Sequence, residues 1–169
     1  MITVYHGSTS TIEHPLANAG RDNLDFGKGF YVTTGKEQAE KWARTVAKRQ
    51  AEATAVLNVY DFDKDRAVSE GYRYLRFEEY DREWLEFIAD SRKGGRKWEA
   101  YDIIEGGIAN DRVIDTIEAY LEGLTPLDIA LGLLSQHRPN NQVAILNQKV
   151  IDGYMTFRES IILTDRQGV

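Results

Sequence analysis

The stretch Asp25-Phe26-Gly27-Lys28-Gly29-Phe30-Tyr31-Val32-Thr33-Thr34 constrains the fold of this chain more than any other. Two glycines flank a lysine directly before a short strand that opens on aromatic residues. A turn so poor in side chains lets neighbouring backbone, or a flat ligand, come close to it. Upstream, Ile2 to His6 alternates apolar and polar side chains as a half-buried strand does, and Gly7-Ser8 ends it. Residues 9 to 28 read as loop. The N-terminal part is therefore strand, long loop, glycine turn and second strand, followed by a helix.

Thr34-Gly35-Lys36-Glu37 has the form of a capping box, in which Thr34 and Glu37 satisfy the first free N–H groups of that helix. At about 100° per residue, Ala39, Trp42, Ala43, Val46 and Ala47 fall on one arc, while Lys41, Arg44 and Lys48 fall opposite. This predicts Trp42 inward and a basic stripe outward. Ala55 to Phe62 reads as a strand. Residues 66 to 98 read as mainly helical, most clearly Tyr80 to Ser91, with Gly94-Gly95 as a break. Tyr101 to Glu105 is a short apolar strand ended by Gly106-Gly107. Asn110-Asp111 caps a helix from about Arg112 to Glu122, and Thr125-Pro126 starts another that runs to about Gln136. Strands follow at Gln142 to Asn147 and, after a turn near Asp152-Gly153, at Met155 to Leu163. Strands at both ends with helices between them predict one α+β domain over residues 1 to 169.

Composition narrows the chemistry. The 169 residues are enough to bury a core unaided, and the absence of cysteine removes disulfides, thiolate ligands and a Cys nucleophile. A formal charge of -6 argues against broad non-specific duplex binding. His14 and His137 have no metal-binding spacing, so no metal is expected. Met1 runs straight into a strand and the apolar runs fall far short of the roughly 20 residues that span a bilayer, which predicts a soluble cytoplasmic protein with no membrane partner.

His6, Tyr31, Trp42 and the glycines each have an ordinary structural explanation when taken singly. Their order and spacing carry the signal. Tyr5-His6-Gly7-Ser8 resembles the His-Gly-Ser/Thr motif of ADP-ribosyltransferases of the diphtheria-toxin and poly(ADP-ribose) polymerase branch. Phe26-Gly27-Lys28-Gly29-Phe30-Tyr31 is similar to that branch's Phe-Gly-Lys-Gly-Ile-Tyr segment. Gln38-Ala39-Glu40-Lys41-Trp42 resembles its following helix, and Asn141-Gln142-Val143-Ala144-Ile145 resembles its Asn-Glu-Tyr-Ile-Val strand. The whole chain also resembles a bacterial family marked by the Asp-Phe-Gly-Lys-Gly-Phe-Tyr block.

The resemblance implies a fold of split antiparallel β-sheets with helices inserted between the strands, and NAD as co-substrate. It implies that Tyr31 and Trp42 sandwich the nicotinamide ring, and that the Gly7 backbone reads its carboxamide. His6 would bond the adenosine ribose, with Ser8 in support. Gly29 and Phe30 would form the wall beside Tyr31. Arg21, and equally Lys28, would meet the pyrophosphate, as Arg suits bidentate phosphate contact. The catalytic set carried over is His6, Tyr31 and Gln142.

Gln142 stands where the most active members carry Glu. Gln hydrogen-bonds a ribose hydroxyl but supplies neither negative charge nor a base. The expected activity is therefore single transfer of ADP-ribose to an unknown macromolecular acceptor, protein or nucleic acid. A weak or inactive NAD or ADP-ribose-binding module and an NAD glycohydrolase remain as alternatives. Asn140, two residues before Gln142, departs from the Glu found there in arginine-directed toxins. Compact bacterial relatives of this type act as toxins paired with an antitoxin, or as effectors, and the resemblance extends that expectation to this chain.

Overall fold

Two β-sheets touch edge to edge at one point, the bridge between Tyr5 and Thr33. The computed structural model describes residues 1–109 and 113–164. The first sheet joins β1 (Ile2–Ser8), β3 (Val56–Phe62) and β7 (Met155–Ile162) in the order β1-β3-β7, antiparallel throughout. The second has the order β2-β6-β5-β4, from β2 (Phe30–Val32), β4 (Tyr74–Arg76), β5 (Ile103–Gly106) and β6 (Gln142–Ile145). Here β6 runs antiparallel to both β2 and β5, but β4 lies parallel to β5. The α+β class and the two sheets follow the expectation, whereas the parallel pair departs from an all-antiparallel arrangement.

Six α-helices accompany the sheets among the described residues: α1 (Lys36–Lys48), α2 (Lys64–Ser69), α3 (Arg82–Arg92), α4 (Ile114–Leu121), α5 (Leu127–Leu134) and α6 (Gln148–Tyr154). None is long and apolar enough to cross a membrane. One helix and one strand were not anticipated as they stand. The turn expected at Asp152-Gly153 lies inside α6, and the segment read as mainly helical over 66–98 contains β4. The cap expected from Asn110 and Asp111 lies outside the described residues. The N-cap of α5 is Pro126 rather than Thr125.

Strand alternation sorts the apolar side chains into three clusters. Val4, Tyr60 and Phe62 of the first sheet meet Phe30, Val32, Ile103, Val143 and Ile145 of the second, so the sheets fold around a shared core. On the other face of the second sheet, Ile104 and Ala144 pack beneath Trp84, Leu85 and Ile88 of α3, Ile117 of α4 and Leu134 of α5. On the other face of the first, Leu57 and Val59 pack beneath Ala39 of α1.

The contact between α1 and β1 is close enough to dictate residue type. A Cβ on Gly7 would stand 2.2 Å from the Ala39 carbonyl oxygen and 2.8 Å from the Ala43 nitrogen. The helix therefore docks through its two alanines against a residue with no side chain. That geometry corrects the orientation expected for Trp42. Only Ala39 and Ala43 of the helix are buried, and Trp42 is 44% exposed, with the Arg49 guanidinium 5.7 Å from its ring centroid. The capping box is absent as well: the N-cap is Gly35, without a side-chain cap, and the Thr34 hydroxyl donates to Asn141 Oδ1 at 3.0 Å.

Candidate active site

The site grows out of the point where the two sheets part. At the bridge, the Tyr5 N–H donates to the Thr33 carbonyl at 2.8 Å and the Thr33 N–H to the Tyr5 carbonyl at 3.0 Å. If the ladder continued, Gly7 would exchange the next two hydrogen bonds with Tyr31. It does not continue. His6 Nδ1 lies 2.6 Å from the Tyr31 carbonyl oxygen and occupies that acceptor instead. Because backbone polar groups alternate sides along a strand, the N–H and C=O of Gly7 point the same way as those of Tyr5, into the gap so opened.

The same register gathers the side chains. Tyr5 and Thr33 share a face at the bridge, so the Gly7 Cα and the Tyr31 ring lie on that face too. Tyr31 pairs with Ala144, and Gln142 lies two residues away on one strand, hence also on this face. Tyr31, Gly7 and Gln142 are thus brought together, and α1 covers Gly7 from the same side. Gln142 is partly exposed, and its side-chain amide makes no hydrogen bond among the described residues. Its neighbour across the strand pair is Gly106, over which Phe26 and Phe77 pack: a Cβ there would stand 3.0 Å from Phe77 Cβ and 3.2 Å from Phe26 Cζ.

Tyr31 is held by its tip. Its hydroxyl donates to the Gly27 carbonyl at 2.5 Å and accepts the Phe26 N–H at 3.1 Å. Burial raises its pKa far above the ordinary phenol value; the Phe26 N–H opposes that rise and the nearby Asp25 charge adds to it. The turn that carries Gly27 is itself pinned. Asp25 accepts from Arg92 Nε at 2.7 Å and from the Ala109 N–H at 3.1 Å, while Phe26 is wholly buried. Gly27 has a φ of 85°, and a Cβ there would strike the Trp98 ring at 2.2 Å. A Cβ on Gly29 would stand 2.6 Å from Leu146 Cδ2. Both glycines are thus required by packing.

His6 lies on the opposite face of β1, its ring 4.5 Å from that of Phe30. A carbonyl only accepts, so Nδ1 carries the proton and Nε2 is left as an acceptor whenever the ring is neutral. Burial lowers the His6 pKa, more than the bond to Tyr31 raises it, which keeps the ring neutral at pH 7.

Other expected members stand apart. Phe30 is buried between the sheets, its ring packed on His6 and, edge-on, on Tyr60. Ser8 accepts the Ser10 N–H at 3.3 Å, a local turn contact. Arg21 is exposed, and Lys28 pairs with Asp22 at 3.3 Å. No group of three or more potential metal ligands occurs among the described residues.

A family described as "Protein of unknown function (DUF3990)" matches residues 2–157. The chain belongs to that family. The DUF3990 match takes in every candidate site residue, from His6 to Gln142. No curated protein and no solved structure matches the chain.

One polar group was missed in the sequence. Glu105 is 7% exposed; it accepts from the Tyr74 hydroxyl at 2.6 Å, from Asn141 Nδ2 at 2.7 Å and from Lys64. Burial works against its charge, but the hydrogen bonds from Lys64, Tyr74 and Asn141 outweigh it and lower its pKa. It opens the segment from Glu105 to Asp111, whose two glycines and following polar residues read chiefly as a turn and a helix cap. A charged residue ending an otherwise apolar strand was the available signal.

Proposed function

We propose that this chain is an NAD-dependent mono-ADP-ribosyltransferase acting in the cytoplasm. The observation that carries the reading is the opened ladder beyond the Tyr5–Thr33 bridge. It leaves one backbone donor and one backbone acceptor, both from Gly7, facing the gap beside the Tyr31 ring. A primary carboxamide needs that complement, and a flat aromatic ring needs a face such as that of Tyr31. Trp42, exposed on α1, is the side chain that the resemblance offers for the second face.

In the reaction, the bond between ribose C1′ and the nicotinamide nitrogen breaks, and its electron pair stays with the ring nitrogen. An acceptor lone pair forms the new bond at C1′, and the acceptor's proton leaves to solvent. His6 Nε2 accepts from a ribose hydroxyl of the adenosine half, and the Gln142 amide bonds the hydroxyl next to the reacting carbon. Neither provides a base, so the acceptor must already be nucleophilic.

The test is nicotinamide release by the purified chain from labelled NAD in the presence of cell extract. Release together with a labelled macromolecule, both lost in Tyr31→Ala, is the expected result. No release in any extract, with NAD binding equal in wild type and Tyr31→Ala, would overturn the reading. Gln142 favours a second reading, a binding module, for which calorimetry would give NAD binding without release. Release with no labelled acceptor identifies a glycohydrolase. Growth arrest on expression, relieved by Tyr31→Ala, is the outcome expected of a toxin that a paired antitoxin restrains.

A further inference from the structure

We infer that Glu105 is a positioning residue that sets the place of Gln142 through the side chain of Asn141. The inference rests on the reading of Gln142 as the side chain beside the reacting ribose. Asn141 Nδ2 donates to Glu105 Oε1 on β5 at 2.7 Å. Asn141 Oδ1 accepts the Thr34 N–H at 3.2 Å and the Thr34 hydroxyl at 3.0 Å, from the end of β2. Its carbonyl accepts from Thr33 Oγ1 at 2.7 Å and from Gln38 Nε2 of α1 at 3.3 Å. The residue before Gln142 is therefore held from both flanking strands and from the helix that covers Gly7. Gln142 itself projects to the other face of β6, its amide without a hydrogen bond among the described residues.

The other oxygen of Glu105 is fully used by Lys64 and by Tyr74 at 2.6 Å, so the carboxylate cannot swing away from Asn141. Arg76, paired with Glu105 in register, points instead to Glu78 at 3.0 Å. A buried ion pair is a costly way to stabilise a fold, since apolar residues of similar volume do as well or better. Its directional value here is that only a carboxylate accepts from Lys64, Tyr74 and Asn141 at once.

The experiment reads Gln142 directly. Its side-chain amide resonances are identified by their loss in Gln142→Ala, and then followed with nicotinamide release and NAD affinity. Glu105→Gln sets an amide donor against the donors of its partners. It is expected to shift or broaden the Gln142 and Thr34 amides and to slow release on the order of 10- to 100-fold, with NAD affinity changed by no more than about two-fold. Asn141→Asp opposes two carboxylates and should give the same loss, recovered on acidification as they come to share a proton between them, beside Lys64 and Tyr74. Combining Glu105→Gln with Asn141→Asp reverses the hydrogen bond, the amide at 105 donating to the carboxylate at 141, and should restore both signal and rate.

Unchanged Gln142 resonances in both single variants, with only the melting temperature lowered, would overturn the inference. So would a double variant that recovers neither signal nor fold. If wild type binds no NAD, the transferase reading fails alone, because the resonance measurements still decide the role of Glu105. If Glu105→Gln does not fold, Asn141→Asp and the double variant carry the test.

Discussion

His6 donates through Nδ1 to the carbonyl of Tyr31 at 2.6 Å, and this contact replaces a rung of the β-ladder. One imidazole thus does two things. It satisfies a carbonyl that the parting sheets would strand, and it fixes its own tautomer with Nε2 free to accept.

A pH dependence follows. The folded pKa of His6 lies below its ordinary value of 6.5, so near and below that value the unfolded chain binds more protons than the folded one. The contribution of His6 to stability is full above pH 6.5 and is lost as pH falls through the lowered folded value. Melting temperatures from neutral to mildly acidic pH should decline more steeply for wild type than for His6→Phe. NAD affinity should weaken over the same range as Nε2 becomes a donor. Equal slopes for the two proteins would refute the assignment.

Tyr31→Phe separates the ring from its hydroxyl. The variant keeps the stacking face but leaves the Phe26 N–H and the Gly27 carbonyl without their partner. Urea unfolding should register a loss of about 1–3 kcal/mol. NAD binding should survive in Tyr31→Phe and disappear in Tyr31→Ala.

Trp42 offers the cleanest division between fold and ligand. At 44% exposure, with the Arg49 guanidinium over its ring, Trp42→Ala should cost about 1 kcal/mol, well short of the roughly 3–5 kcal/mol of a fully buried aromatic. Loss of a stacking partner worth about 0.5–1.5 kcal/mol should weaken NAD binding by about 2- to 10-fold in calorimetry. A large loss of stability with unchanged affinity would return Trp42 to a purely structural role.

On the proposed reading, Gln142→Glu places a charge beside the reacting carbon. The Gln142 amide has no hydrogen bond among the described residues to lose, so the melting temperature should hold. Nicotinamide release should rise on the order of 100-fold, within the range that a positioned carboxylate supplies. A folded variant with no gain would argue that the ribose lies elsewhere.

Much of this arrangement was legible in the chain. The Asp25–Tyr31 block announced its turn, and the glycines at 27 and 29 do admit close neighbours, though these are Trp98 and Leu146. The strand holding His6 was visible from alternation, and the one holding Gln142 from its short apolar run. Trp42 was misjudged because α1 docks through Ala39 and Ala43, two small residues that bring the helix backbone itself onto β1. β4 was hidden because three residues, Tyr74 to Arg76, are too short to display a period. The Glu105–Asn141 contact joins residues far apart in sequence, and no local pattern reports it. Thr34 met the local rule for a helix cap, and a tertiary partner, Asn141, outbid it.

The single rung between the two sheets has an evolutionary corollary. On the proposed reading, recognition of an amide by the main chain of Gly7 depends on where a ladder stops, and among side chains on His6, which ends it. Substitution elsewhere around it is then free to alter reaction rate and acceptor choice while the grip on the amide persists. Family members that have lost turnover should still be inhibited in binding by free nicotinamide, and those that replace the glycine should not.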